Sequence, residues 1–169
     1  MPAREREKQN FDLPSALDRD LLKSQLYTLA NGDPVDVPCY DFTNHTRLPK
    51  TRKVEPCGKT ILVEGLFALY WGSIRPLYAK KIFIDINDEE RLMRRISRDT
   101  KDRQRNVKSI EEQYEKFVIP MYEKYIKPSQ VYADLCVRGD LSDDGIKRNI
   151  LIKIVPSQFF TEKTNTKKY

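Results

Sequence analysis

Histidine occurs once in this chain, at position 45, and cysteine three times, at 39, 57 and 136. A structural zinc site takes four closely spaced Cys or His ligands. No two of these cysteines form a CxxC pair, and a single histidine cannot complete the set, so that class is excluded. Three scattered cysteines also argue against a disulfide framework and point to reduced thiols in a cytoplasmic protein. No run approaches 18 apolar residues, which excludes a membrane-spanning helix. The opening MPAREREKQN is charged and has no apolar centre, unlike a secretory signal. Glycine is sparse: the six stand at 32, 58, 65, 72, 139 and 145, and no two are five apart. The phosphate-cradling loop GxxxxGK[ST] is therefore absent from these 169 residues.

What is present is enough for one domain with one core: 39% apolar residues, including nine tyrosines and seven phenylalanines. The formal net charge of +6 is local. Positions 91–108 hold eight basic and two acidic residues, which accounts for all six charges and leaves the remainder balanced. Within them Arg91, Arg94, Arg95 and Arg98 follow i, i+3, i+4, i+7 spacing, so one helix face carries four guanidinium groups. Such a row repels itself unless an anion is present, and arginine suits phosphate recognition. A phosphate-bearing ligand is expected. Nucleic acid fits less well, because no aromatic residues interleave this short segment.

The densest grouping of chemically versatile side chains is VPCYDFTNHTR, residues 37–47. Pro38 keeps its neighbours extended, and alternation then puts Tyr40 and Phe42 on one face with Asp41 and Thr43 on the other. Two ring faces beside an imidazole make a slot for a flat heterocycle, the rings stacking and His45 hydrogen-bonding an edge. A half-buried hairpin strand with a satisfied histidine has the same pattern.

Around that stretch, residues 15–30 read as a helix capped by Ser15, with Leu17, Leu21, Leu22, Leu26 and Leu29 as its apolar stripe and Gly32 as its stop. Residues 34–43 and 51–55 predict a hairpin. TILVE (60–64) and KIFIDI (81–86) are near-continuous apolar runs, as in strands buried on both faces of a parallel sheet. A helix over 66–77 separates them. Asn87 with Glu90 opens the arginine-bearing helix, and Ser109 with Glu112 opens another that runs to about 127. That helix should bend near Pro120, with Tyr114, Phe117, Val118, Met121 and Tyr125 on its core face. DLCVR (134–138) is a third strand, and Ser142 caps a segment over 142–155 that favours helix over strand. Strands alternating with helices predict an α/β fold with ligands at the carboxyl ends of the strands, where Glu64 and Asp85 fall.

Taken in order, NFDLPSALD, VPCYDFTNHTR, ILVEG, FIDINDEERLMRRISRD and EEQYEKFVIPMYEKYIKPSQVYAD resemble the uridine/cytidine kinases, collinearly over residues 10–155. The resemblance implies a P-loop kinase-like parallel sheet with helices on both faces, a small hairpin insertion for substrate and an arginine-rich lid. The kinase domain would occupy 10–156 and a polar, disordered tail 157–169. Asp12, with Arg95 and Gln113, would hold the ribose hydroxyls, and Phe11, Tyr40 and Phe42 would line the base pocket. His45 would bond the pyrimidine edge, Glu64 would sit near magnesium, and Arg98, Arg103 and Arg105 would close over the ATP phosphates. The substrate would be uridine or cytidine, with ATP and Mg2+ as the family's other requirements.

Against that pattern, the phosphate loop and the aspartate that accepts the 5′-hydroxyl proton have no counterpart here. The expectation is a chain lacking the amino-terminal βαβ portion of the family, inactive or nearly so by itself. A non-catalytic nucleoside-binding pseudokinase, or a partner subunit of a complete kinase, would show the same pattern. The strands at 60–64 and 82–86 would then either pair directly or leave bare edges that invite a homo-oligomer or a partner strand.

Overall fold

The computed structural model describes residues 10–41, 46–56 and 60–142, together with 144, 145, 148 and 150. A short 3-10 turn at Pro14–Ala16 precedes helix α1 (Arg19–Ala30). The helix therefore starts later than predicted. Asp18, not Ser15, is its cap, and its carboxylate accepts the Leu21 N–H at 3.2 Å. Pro14 favours the separate turn because its fixed φ suits a first helical position while its ring would obstruct a longer helix entering from upstream. Gly32 ends the helix at φ +93°, where a side chain would be strained.

Strands β1 (Val35–Asp41) and β2 (Thr46–Val54) form an antiparallel hairpin whose second strand begins earlier than expected. Its register slips between Pro38 and Tyr40. Pro38 on one strand and Pro49 on the other each lack an N–H, so the ladder cannot run unbroken there. The hairpin is tied to α1 by Gln25, which donates to the Asp36 carbonyl at 2.7 Å, and by Arg47 against Asp18 at 3.4 Å.

Strands β3 (Ile82–Asp85) and β4 (Leu135–Arg138) pair in parallel, the arrangement expected of an α/β fold. Asp134 anchors their start: its carboxylate accepts the Lys81 N–H at 2.7 Å, and its own N–H donates to the Lys81 carbonyl at 2.8 Å. Between the strands run α2 (Asp88–Arg103) and α3 (Val107–Gln113). Asn87 caps α2 as predicted, accepting the Glu90 N–H at 2.8 Å. The cap of α3 is Asn106 rather than Ser109, whose hydroxyl instead accepts from Arg105 at 3.2 Å. Beyond Gln113 the helical path continues, but with π-type turns at Tyr114–Val118 and Tyr122–Ile126 on either side of Ile119–Met121. Pro120 has no N–H to donate, and the wider turn, in which Ile119 N–H reaches the Tyr114 carbonyl, accommodates it. This helical path ends at Ile126, close to the expected 127, and Pro128 lies in a separate 3-10 stretch, Lys127–Tyr132. Ser142 behaves as a cap, its hydroxyl accepting the Gly145 N–H at 3.2 Å, and residues 144, 145, 148 and 150 are helical.

Two predictions fail between positions 60 and 77. The TILVE segment is not a strand: it pairs with no strand among the described residues, and Leu62 is 87% exposed. It does not pair with 82–85 either. An apolar run becomes a strand only when neighbouring backbone completes its hydrogen bonds, and among the described residues no strand lies paired beside 60–64. Residues 66–77 form successive tight turns rather than one helix, broken by Gly72 and Pro76. Those turns nevertheless build the core. Phe67, Leu69, Trp71 and Ile74 pack with Leu26 of α1, Phe83 of β3 and Ile126, with Tyr122 and Tyr125 against them. Phe67, Tyr70, Trp71 and Tyr125 meet edge-on or tilted at centroid distances of 5.4–6.3 Å.

The carboxyl end of the parallel pair is closed by Gly139, whose N–H donates to the Asp85 carbonyl at 2.6 Å. A Cβ at Gly139 would lie 2.9 Å from Ile84 Cγ2 and 3.3 Å from the Asp85 carbonyl oxygen. Gly139→Ala should therefore destabilise the fold by about 1–3 kcal/mol, read as a lower Tm in thermal unfolding. An unchanged Tm would show that the β3–β4 end yields freely.

Candidate functional site

The arginine-bearing helix is tied to the carboxyl end of the parallel pair by Arg94, which donates to the Gly139 carbonyl at 3.0 Å. Its four in-register arginines already have anionic neighbours within the chain, which their spacing alone did not show. Arg91 pairs with Asp88 at 2.9 Å and lies over the Tyr122 ring at 3.5 Å, and Arg94 pairs with Glu90 at 2.7 Å. Arg95 and Arg98 turn toward Asp99.

Asp99 was missed in the sequence because it looks like one of two acids diluting a basic run. It is fully buried. Arg98 Nε lies 2.8 Å and Arg103 Nη1 3.3 Å from its Oδ1, while Arg95 Nε and Arg105 Nη1 lie 3.7 and 3.6 Å from Oδ2. The only signal available beforehand was spacing: Arg95 and Arg103 stand four residues to either side of it on one helix.

Gln113 joins this group from α3. Its Oε1 accepts from Arg95 Nη2 at 3.0 Å and from Arg105 Nη1 at 2.7 Å. Both partners are pure donors, which fixes the orientation of the amide. Burial lowers the Arg95 pKa from its ordinary value, and the carboxylates of Asp12 and then Asp99 oppose that shift. The charge of Asp12 thus acts on the same guanidinium from the amino-terminal turn, where the Asp12 N–H donates to Asn10 Oδ1 at 2.9 Å. Arg95 and Gln113, two of the residues singled out for one role, meet directly, and Arg98, Arg103 and Arg105 adjoin them through Asp99.

The remaining candidates are less gathered. Phe11 lies next to Asp12 with its ring 37% exposed, and Tyr40 is on β1. Phe42 and His45 lie outside the described residues, so the proposed base slot is represented by Tyr40 and Phe11 alone. Glu64 is exposed on the unpaired 60–64 segment. No group of three or more His, Cys, Asp or Glu side chains among the described residues could hold a metal. A lone carboxylate does suit magnesium that is held chiefly by nucleotide phosphates and water. A concavity of about 360 Å³ lined by Pro14, Leu17, Asp18, Tyr70 and Trp71 contains none of these residues. No helix among the described residues is long and apolar enough to cross a membrane.

Residues 2–143 match the model of the phosphoribulokinase/uridine kinase family. The chain belongs to that family. Among its relatives, a uridine kinase of Staphylococcus carnosus is 45% identical over 133 residues, covering 79% of this chain and 64% of the relative. One of Streptococcus agalactiae is 43% identical over 139 residues, covering 82% and 66%. One of Streptococcus gordonii is 40% identical over 154 residues, covering 91% and 70%. The chain thus spans slightly less than two thirds of the length of the first two of these family members.

The arginine helix of this family member is braced from below by Tyr114. Its hydroxyl donates to Asp88 Oδ1 at 2.7 Å, beside the Arg91 contact. Burial, then the Asp88 hydrogen bond, pushes its pKa up to about 12 from 10.0. The unfolded phenol ionises first, so this stabilisation is complete below pH ~10 and is lost as pH rises toward 12. Tyr114→Phe should flatten the fall in Tm between pH 10 and 12 relative to the parent chain. Parallel pH profiles would show that Tyr114 does not carry that dependence.

Proposed function

We propose that this chain supplies the nucleoside-recognising side of a uridine kinase reaction, the transfer of the γ-phosphoryl group of ATP to the 5′-hydroxyl of uridine or cytidine. The observation that carries this reading is the hydrogen-bonded meeting of Arg95 and Gln113, with the Asp12 charge acting on Arg95, beside Arg98, Arg103 and Arg105. A carboxylate, an amide and a guanidinium together offer the acceptors and donors that a pair of vicinal hydroxyls needs. In this reading Asp12 accepts from the ribose hydroxyls, and Gln113 and Arg95 hold that carboxylate in place. Phe11 and Tyr40 offer ring faces to the pyrimidine, with Phe42 and His45 completing the base pocket.

Arg98, Arg103 and Arg105 converge where they would face transferring phosphate oxygens, and fixed positive charge there stabilises the charge that develops during transfer. Magnesium would supply charge neutralisation on the phosphates when bound, with Glu64 as its carboxylate partner. Within these 169 residues there is no GxxxxGK[ST] loop, so tight seating of the β- and γ-phosphates is not expected of this chain alone. We therefore assign it nucleoside binding, with phosphoryl transfer negligible in isolation. Sugar-side residues assembled without the phosphate loop are also what a non-catalytic binding subunit would present.

Calorimetry with uridine separates these statements. The chain should bind uridine, and Asp12→Asn should weaken binding by roughly 10- to 100-fold, as expected for loss of charged hydrogen bonds. Absence of uridine binding by the parent chain would overturn the nucleoside assignment. Rapid UMP formation from uridine and MgATP, followed by phosphorus NMR, would overturn the assignment of negligible transfer.

A further inference from the structure

Asp99 has been given no role in the reading above, yet it is the one carboxylate on which four of the cluster's guanidinium groups converge. We propose that Asp99 is a positioning residue: its buried carboxylate assembles Arg95, Arg98, Arg103 and Arg105 into a ready-made array for a polyphosphate group. The proposal rests on the phosphate-facing role assigned above to Arg98, Arg103 and Arg105 and deepens it, with Arg95 joining them to the sugar side through Gln113.

Three observations support it. First, the carboxylate is shared unequally. Oδ1 takes the close contact with Arg98 at 2.8 Å and that with Arg103 at 3.3 Å. Oδ2 is buried without a hydrogen bond, with Arg95 and Arg105 standing just beyond bonding distance at 3.7 and 3.6 Å. Arg95 and Arg105 are drawn in but not consumed by Asp99, and their hydrogen bonds go instead to Gln113. Second, the backbone of Asp99 closes the turn that returns Arg105 to the cluster. Its carbonyl accepts the N–H groups of Gln104 and Arg105, with Gln104 in the left-handed conformation at φ 52°. That turn is made by main-chain atoms, so it survives a change of side-chain charge. Third, four permanently charged guanidinium groups are gathered around one carboxylate, a concentration of positive charge that suits a multiply charged anion.

The test turns on a sign. Asp99→Asn keeps the side-chain shape and raises the formal net charge from +6 to +7. Simple charge attraction then makes the variant bind a polyanion more tightly, whereas loss of the assembled array makes it bind more weakly. Tripolyphosphate should be titrated calorimetrically into the 169-residue chain and into Asp99→Asn at one salt concentration, with thermal unfolding of both as a control. The expected result is affinity at least tenfold weaker in the variant at a temperature where both are folded. Equal or tighter binding by the variant overturns the positioning role and leaves the phosphate reading intact. Absence of binding by the parent chain overturns both. Should Asp99→Asn fail to fold, the parent chain decides alone through its arginine Nε–H resonances in NMR. Preassembly requires those of Arg95 and Arg98 to be dispersed and slow to exchange before tripolyphosphate is added. Averaged signals that sharpen only on its addition would mean that the ligand, not Asp99, orders them.

Discussion

A carboxylate with no solvent exposure is tolerated only where opposite charge and hydrogen bonds replace its lost hydration, and at Asp99 that requirement organises α2, the loop after it and the end of α3. It draws in arginines from the middle of α2, from its last turn and from the loop beyond it. Arg95 and Arg105 in turn reach Gln113 on α3, and Arg95 feels Asp12 from the amino-terminal turn. Segments separated by a hundred positions are brought together around charge rather than around apolar surface. The apolar core lies elsewhere, under the turns at 66–77, and its aromatic edges lock α1 to the helical path through Ile126.

This division explains which parts of the fold could be read from residue order. Features set within four or five residues were legible: the Asn87 cap, the Gly32 stop, the Ser142 cap and the hairpin. The strands at 82–85 and 135–138 were legible because their apolar runs find each other. The run at 60–64 carries the same signal but depends on a backbone partner that the signal does not encode, so Leu62 stands in solvent instead. Where two caps compete within a few residues, as Ser15 with Asp18 and Asn106 with Ser109, proline placement and a neighbouring arginine decided between them. The helix expected over 66–77 lost to Gly72 and Pro76, although its apolar residues reached the core all the same.

The candidate site was legible as a set of residue types but not as a charge network. Four arginines in register implied an outside anion, whereas Asp88, Glu90 and Asp99 already supply anions within the chain. Acids one, three or four positions away on the same helix are easily read as solubilising charge. Of the three only Asp99 is buried, and that burial, which residue order does not reveal, is what marks it as a brace. The family match accounts for the order of the motifs, while the distances show which of those motifs meet.

The start and the middle of α2 are fastened to the next helical stretch by different chemistry, Asp88 to Tyr114 and Arg95 to Gln113. Two such fastenings on one rod remove its freedom to pivot about either. Any swing of the arginines toward a guest must therefore carry Gln113 and Tyr114 with them as a single rigid body, with the bending confined to the segments that enter and leave the pair. The sugar-side amide and the charged side chains would then arrive together, in fixed proportion, rather than one after the other.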